Sequence, residues 1–350
     1  MMKKYGLKIG VIGLGFIGEI YVKHLLDNPE VYKVFIVSRN LEKRELFKVK
    51  YQKVEVFEDF RDMIENVQLH GVCVCTPNYS HAEITQYIIN NKHTMGILLE
   101  KPVAISKEQL NSLIETAQRK NKMILVSHSL RFATPYVLAK KQLGFGRIGK
   151  TLYIEGRYKW FKNFSGWKGL KQLSGGGFLI QSGIHIIDAF IWYADSPVVG
   201  VSGHSAKLFH KNIEVEDTFF AELHFSNGVF AKMIGSSATK GFIDYGLEIY
   251  GTQGSIKVRS NALPGGLEIL NHTISIFNER SDLSPYGALT NPSWPNHDLW
   301  KEEVNHFVNC LLGKDNPLVS IQEAKKAMDV CFALYESDRQ DGKYIDLYGE

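Results

Sequence analysis

From Lys8 to Val126 short apolar runs alternate with amphipathic stretches, the pattern of parallel strands joined by crossover helices. Strands are predicted at Lys8–Ile12, Val34–Val37, Val54–Val56, Gly71–Cys75, Ile97–Leu99 and Met123–Val126. Helices are predicted at Ile17–Leu26, Asp59–Glu65, His81–Asn90 and Lys107–Gln118. Six strands with helical crossovers make a doubly wound α/β sheet over residues 1–127. After Ser127 the texture changes to a helix at Thr134–Leu143, a strand at Thr151–Tyr158 and a buried helix opened by glycines at Gly175–Tyr193. Alternating segments follow at Val198–Leu208, Asp217–Phe225, Val229–Ser236, Tyr245–Tyr250 and Ser255–Arg259, with turn pairs such as Asn227-Gly228 between them. Residues 128–350 therefore read as an α/β domain on a large, mostly antiparallel open sheet. Helical patterns at His297–Leu312 and Ile321–Gln340 close the chain, and their packing partner is not fixed by periodicity.

The 350 residues, 44% hydrophobic and 22% charged, are ordinary for a folded globular chain and long enough for two cores. A net charge of +4, with basic residues interleaved among acids, argues against a nucleic-acid partner and suits a small anionic ligand. Cys73, Cys75, Cys310 and Cys331 build neither a C-x-x-C pair nor a disulfide framework. No apolar run approaches the ~20 residues of a membrane helix, and Lys8–Ile12 is too short for a signal core. A cytoplasmic protein without a membrane partner is expected. Twelve histidines include no H-E-x-x-H, and no metal site is expected.

Gly13-Leu14-Gly15-Phe16-Ile17-Gly18 ends the first strand and opens the first helix. Glycines there permit a tight turn and let backbone N–H groups, including those of Phe16 and Ile17, approach a diphosphate at the helix N-terminus, as in a Rossmann dinucleotide site. About twenty residues on, where an NAD-binding unit carries an acid for the ribose hydroxyls, the chain has Ser38 followed by Arg39. A hydroxyl and a guanidinium accept a 2′-phosphate that an acid repels, so the expected cofactor is NADP in preference to NAD. The alternative places Arg39 in solvent or against adenine with either nucleotide. Ligands of open α/β sheets lie beyond the carboxyl ends of the strands, which puts Thr76-Pro77-Asn78 with His81, and Glu100-Lys101-Pro102, at the cofactor. The first segment also reads as a helix cap, and Lys101 as a solvated lysine.

These motifs, with Gly146-Arg147-Ile148-Gly149-Lys150, Gly175-Gly176-Gly177 and Gly183-Ile184-His185-Ile186-Ile187-Asp188, resemble the Gfo/Idh/MocA oxidoreductases nearly end to end. The resemblance implies a Rossmann domain followed by an α/β domain whose open sheet forms a homodimer or homotetramer surface. It also implies reversible oxidation of a sugar or cyclitol hydroxyl, with Lys101 and His185 as the catalytic pair. Members that bind nucleotide without turnover supply the alternative, a regulatory or sensor protein.

Oxidising a secondary alcohol needs a base for the hydroxyl proton while hydride leaves the carbon, and imidazole suits that role near neutral pH. On a continuous helix Gln181, His185 and Asp188 share one face, beside a core stripe of Ile180, Ile184, Ile187 and Ile191. Read from the residues alone, a histidine on so apolar a helix is more often a satisfied core residue than a catalyst, an order that the triple glycine and the resemblance reverse, and Asp188 either orients a neighbour or caps structure. The family's sugar dehydrogenases commonly carry aspartate where this chain has Gln181, an amide that hydrogen-bonds a substrate but cannot act as base. Trp167 and Lys168, with Arg157 through Asn163 upstream, offer an aromatic face for a sugar ring and cations for an anionic substituent, or ordinary packing.

Overall fold

The computed structural model describes residues 6–240, 243–261, 271–278 and 298–348. The chain divides into two compact units, residues 1–129 with 298–325, and residues 130–297 with 326–350.

The first unit alternates strand and helix: β1 (Leu7–Ile12), α1 (Phe16–Asp27), β2 (Val31–Val37), α2 (Leu41–Lys50), β3 (Val54–Phe57), α3 (Phe60–Asn66), β4 (Gly71–Val74), α4 (Asn78–Asn90), β5 (Gly96–Glu100), α5 (Lys107–Arg119) and β6 (Met123–Ser127). The strands pair in parallel in the order β3-β2-β1-β4-β5-β6. Helices cover both faces of such a sheet, so its strands are apolar throughout, and Ile9, Val11, Ile36, Val72, Ile97 and Leu125 are fully buried. Helix α2 is absent from the sequence reading. Its ten residues are mostly charged and bury only Phe47; a cap, the Asn40 side chain accepting from Lys43 N, starts it.

The second unit carries α6 (Thr134–Gly144), β7 (Thr151–Lys159), the short α7 (Lys171–Ser174), α8 (Ile184–Ala194), β8 (Val198–Ala206), β9 (Thr218–Phe225), β10 (Phe230–Ser236), β11 (Asp244–Gly251), β12 (Gly254–Asn261) and β13 (Asn271–Asn278). An eight-stranded sheet runs β13-β12-β11-β7-β10-β9-β8-β14, with β14 at Ile345–Asp346, antiparallel except for the parallel β7–β10 pair. Helix α8 approaches β7 so closely that a Cβ on Gly156 would stand 2.4 Å from Ile186 and 2.6 Å from Phe190. The sequence reading has one continuous helix from Gly175. Instead α7 ends at Ser174, Gly175 turns the chain in the left-handed region, and a π-helical turn, Leu179–Gly183, leads into α8.

Two helices complete the chain, α9 (Leu299–Leu311) and α10 (Ile321–Arg339), the second crossing from one unit to the other. Asp298–Lys325 clusters with the first unit, the packing that periodicity alone leaves open. The cause is the apolar face of α9, which lies on the parallel sheet. A Cβ on Gly71 would meet Leu311 and Phe307, and one on Gly96 would meet Leu311. Asp298 caps α9 and pairs with His24 of α1 at 2.8 Å, and Asn28 donates to Asn305 at 2.8 Å. His297, where the predicted helix began, lies outside the described residues.

Candidate functional site

In the first unit the site grows from the turn between β1 and α1. Gly13 has φ +94°, and a Cβ there would stand 2.7 Å from the Cys75 carbonyl oxygen, at the crevice where β1 and β4 diverge. A Cβ on Gly18 would fall 1.9 Å from the Gly13 oxygen, so α1 packs onto its own turn only because that side chain is missing. At Gly15 the same test meets nothing within 4 Å. Gly15 caps α1 without any side-chain acceptor, leaving the first-turn amides available to a ligand in that space. This cradle fits a dinucleotide's diphosphate. Lys43 of α2 pins it, donating to the Leu14 oxygen and to Glu19 at 2.6 Å each; with α2 unpredicted, the sequence reading had no route to Lys43. Phe16 is 54% exposed and meets Trp300 edge-on. Ile17 lies beside it in the first turn of α1.

At the end of β2 the Ser38 hydroxyl accepts from Asn40 N, and the Ser38 oxygen accepts from Arg44, which also pairs with Glu58. Arg39 is exposed and makes no ion pair among the described residues.

The loops after β4 and β5 are joined by His81. Its ring nitrogens lie 2.7 Å from the Thr76 oxygen and 2.7 Å from the Pro102 oxygen, and the side chain is buried. Burial pushes its pKa down, against the two carbonyls that pull it up. One ring nitrogen carries the N–H and donates to one of these carbonyls, which ties one loop to the other. Pro77 caps α4, with Thr76 bonded to Ser80 through their hydroxyls and Asn78 buried in the first turn. Lys101 follows β5 directly, and its bond to Pro102 is cis.

Glu100 joins a hydrogen-bonded cluster in the same unit. The Tyr21 hydroxyl stands 3.1 Å from Glu100 Oε1, 3.0 Å from Ser127 Oγ and 2.7 Å from Glu303 Oε2, so the carboxylate works inside the fold. Ser127 Oγ is also 3.1 Å from Glu303 Oε2. Burial raises the pKa of Glu100 while Lys101 lowers it. Burial and the Glu100 charge push Glu303 up to about 8. The sequence reading missed Tyr21, Ser127 and Glu303, which come from three distant segments and share no motif.

In the second unit the glycines have packing reasons. A Cβ on Gly176 would meet the Tyr335 hydroxyl at 2.1 Å, and one on Gly177 the Glu216 backbone oxygen at 1.9 Å. The Glu216 carboxylate accepts from Gly177 N and Leu179 N at 2.9 Å and from Tyr335 at 2.8 Å, anchoring the π-helical turn that precedes His185. His185 is half-buried at the second position of α8. Gln181 braces this segment, its amide nitrogen donating to the Lys168 oxygen at 2.9 Å and the Gly176 oxygen at 2.8 Å. That brace ties the Trp167-Lys168 turn, where the Lys168 ammonium sits 5.7 Å from the Trp167 ring, to the segment carrying His185. Asp188 binds Arg131 through both oxygens at 2.8 and 2.9 Å, each side chain at most 5% exposed, which decides for orientation of a neighbour. Arg157 is likewise engaged, with Glu248 at 2.7 Å.

A family model described as "Oxidoreductase family, NAD-binding Rossmann fold" matches residues 7–128, and the GFO/IDH/MocA C-terminal domain matches residues 136–257. The chain belongs to the GFO/IDH/MocA oxidoreductase family. Among curated relatives, this GFO/IDH/MocA chain is 24% identical to scyllo-inositol 2-dehydrogenase (NAD(+)) of Bacillus subtilis (strain 168), over 96% of this chain and 95% of that one. It is 26% identical to D-glucoside 3-dehydrogenase of Escherichia coli (strain K12), over 63% and 68%. Its fold is that of levoglucosan dehydrogenase in complex with NADH and levoglucosan, with a TM-score of 0.84 and 22% identity over 98% and 100% of the two chains. Among the described residues no helix is long and apolar enough to cross a membrane, and no cluster of three His, Cys, Asp or Glu is arranged to hold a metal ion.

Proposed function

We propose that the protein transfers a hydride between a nicotinamide dinucleotide and a secondary hydroxyl or keto group of a sugar, cyclitol or sugar derivative. The observation that carries this reading is similarity to an inositol dehydrogenase across 96% of the chain, so that it includes the second unit as well as the nucleotide-binding one. When bound, the nicotinamide accepts or returns the hydride. Gly13, Gly15 and Gly18, with the amides of Phe16 and Ile17, hold the diphosphate, and Thr76, Pro77 and Asn78 border the nucleotide on the next loop. In the oxidative direction an imidazole nitrogen of His185 takes the hydroxyl proton, and the Lys101 Nζ polarises that oxygen and relays the proton outward. Gln181 cannot serve as a second base, which leaves the proton to these two groups. Trp167 and Lys168 flank the sugar.

Ser38 and the exposed Arg39 support a preference for NADP over NAD, since no acid stands at the end of β2 to repel a 2′-phosphate. Fluorescence titration with NADPH and NADH tests it: NADPH binds more tightly and Arg39→Ala removes the difference, whereas equal affinities in the parent protein overturn the preference. For the catalytic pair, His185→Ala or Lys101→Ala lowers turnover by ~100-fold or more with nucleotide affinity retained. An active double variant refutes the assignment.

A further inference from the structure

The buried group around Tyr21 contains more oxygen contacts than its hydroxyl protons can serve. Tyr21 Oη touches Glu303, Glu100 and Ser127, and Ser127 Oγ touches Glu303 as well. With both carboxylates ionised, two hydroxyl protons face four contacts, and the two carboxylates compete for the single Tyr21 proton. A proton on Glu303 Oε2 removes the competition and serves every contact but the 3.0 Å one between Tyr21 and Ser127. Glu303 then donates to Tyr21 across the shortest contact, 2.7 Å, Tyr21 donates to Glu100, and Ser127 donates to Glu303. Glu303 is 0% exposed and its Oε1 has no hydrogen-bond partner among the described residues, an arrangement that favours the neutral acid over an ionised carboxylate. The other titratable groups facing it are Cys73 and Cys75, whose thiols burial keeps protonated, and Lys101 beyond Glu100.

We infer that Glu303 is a positioning residue for Lys101: held as the neutral acid, it lends its proton to the Tyr21 oxygen and so commits the Tyr21 hydroxyl to Glu100, fixing the Glu100-Lys101 turn. The ammonium of Lys101 then feels the charge of Glu100 without an added charge from Glu303. When Glu303 loses its proton to solvent, a second charge is added and the tyrosine is divided between two acceptors. The weight given to Lys101 rests on the proposed function; the proton on Glu303 does not.

The test uses the full-length protein, Glu303→Gln and Tyr21→Phe. Infrared difference spectra between about pH 6 and about pH 10 show, in the parent, a carboxylic-acid C=O band that disappears on the alkaline side and is missing from Glu303→Gln. Labelling of Lys101 by an amine-directed reagent, followed by peptide mass spectrometry against pH, is biphasic in the parent and monophasic in Glu303→Gln. With an active substrate, Glu303→Gln keeps kcat within about threefold at neutral pH and loses the alkaline decline, while Tyr21→Phe lowers kcat by tens of fold with the nucleotide KM unchanged. A band that persists in Glu303→Gln, or Lys101 profiles that coincide in all three proteins, overturns the inference. The spectra and the labelling need no turnover, so a silent substrate panel refutes the proposed function alone.

Discussion

Gly15→Ala and Gly18→Ala separate two roles that the glycine loop combines. At Gly15 an added Cβ has no neighbour within 4 Å, and the backbone there is extended, with φ −78°. The unliganded protein should therefore lose no more than about 1 kcal/mol, the usual difference between glycine and alanine at a helix cap. The open space is where a diphosphate meets the α1 amides. A methyl group standing there removes at least one charge-assisted contact, about 1.5–3 kcal/mol or a 10- to 150-fold loss of nucleotide affinity. At Gly18 the added Cβ falls 1.9 Å from a backbone oxygen, so helix and turn must part by more than about 1 Å. That overpacking costs about 1–3 kcal/mol before any nucleotide is added. Thermal melts of the free proteins, set beside fluorescence titrations with NADH and NADPH, read the two effects independently. Gly15→Ala should melt near the parent and bind poorly, and Gly18→Ala should melt lower and bind poorly. Parent-like affinity in Gly15→Ala would refute the placement of the diphosphate.

Further outcomes follow from the buried charges. Asp188→Asn removes the carboxylate charge that Arg131 binds in a site where each side chain is at most 5% exposed, so urea unfolding should show a loss of about 3–5 kcal/mol; a loss below ~1 kcal/mol would mean that the other contacts of Arg131 compensate for the charge. Glu303 holds its proton in the folded state up to about pH 8, whereas an unfolded chain releases it near the ordinary carboxylate value. The folded state thus binds the extra proton between those limits, and stability falls as pH rises through them. Glu303→Gln should gain on the parent across that window, on the order of 3–5 kcal/mol by pH 8; parallel stability curves would show that Glu303 is ionised throughout.

Legibility in the sequence followed how local each determinant is. The parallel sheet is readable because its strands are buried on both faces, and the glycine loop because turn, approach and helix start all act within six residues. Helix α2 lacks an apolar stripe and depends on a cap at Asn40, so periodicity passes over it, and Lys43 is lost with it. The π-helical turn before α8 comes from Glu216, nearly forty residues downstream in sequence, holding Gly177 and Leu179. Gln181, His81 and Glu100 are polar residues in site motifs, and the sequence does not say that they also meet backbone carbonyls or Tyr21. The Tyr21–Glu303 contact spans 282 positions, a separation no local pattern encodes.

The central claim is hydride transfer, and isotope transfer tests it most directly. Sugars and inositols deuterated at their carbinol carbons are incubated with the protein and oxidised NADP or NAD, and the reduced nucleotide is examined by mass spectrometry. The account predicts deuterium on the reduced nicotinamide for at least one sugar or cyclitol, and its loss in the His185→Ala, Lys101→Ala double variant. Tight nucleotide binding with no transfer from any member of the panel, in either direction, would contradict it and leave a protein that binds nucleotide without turnover.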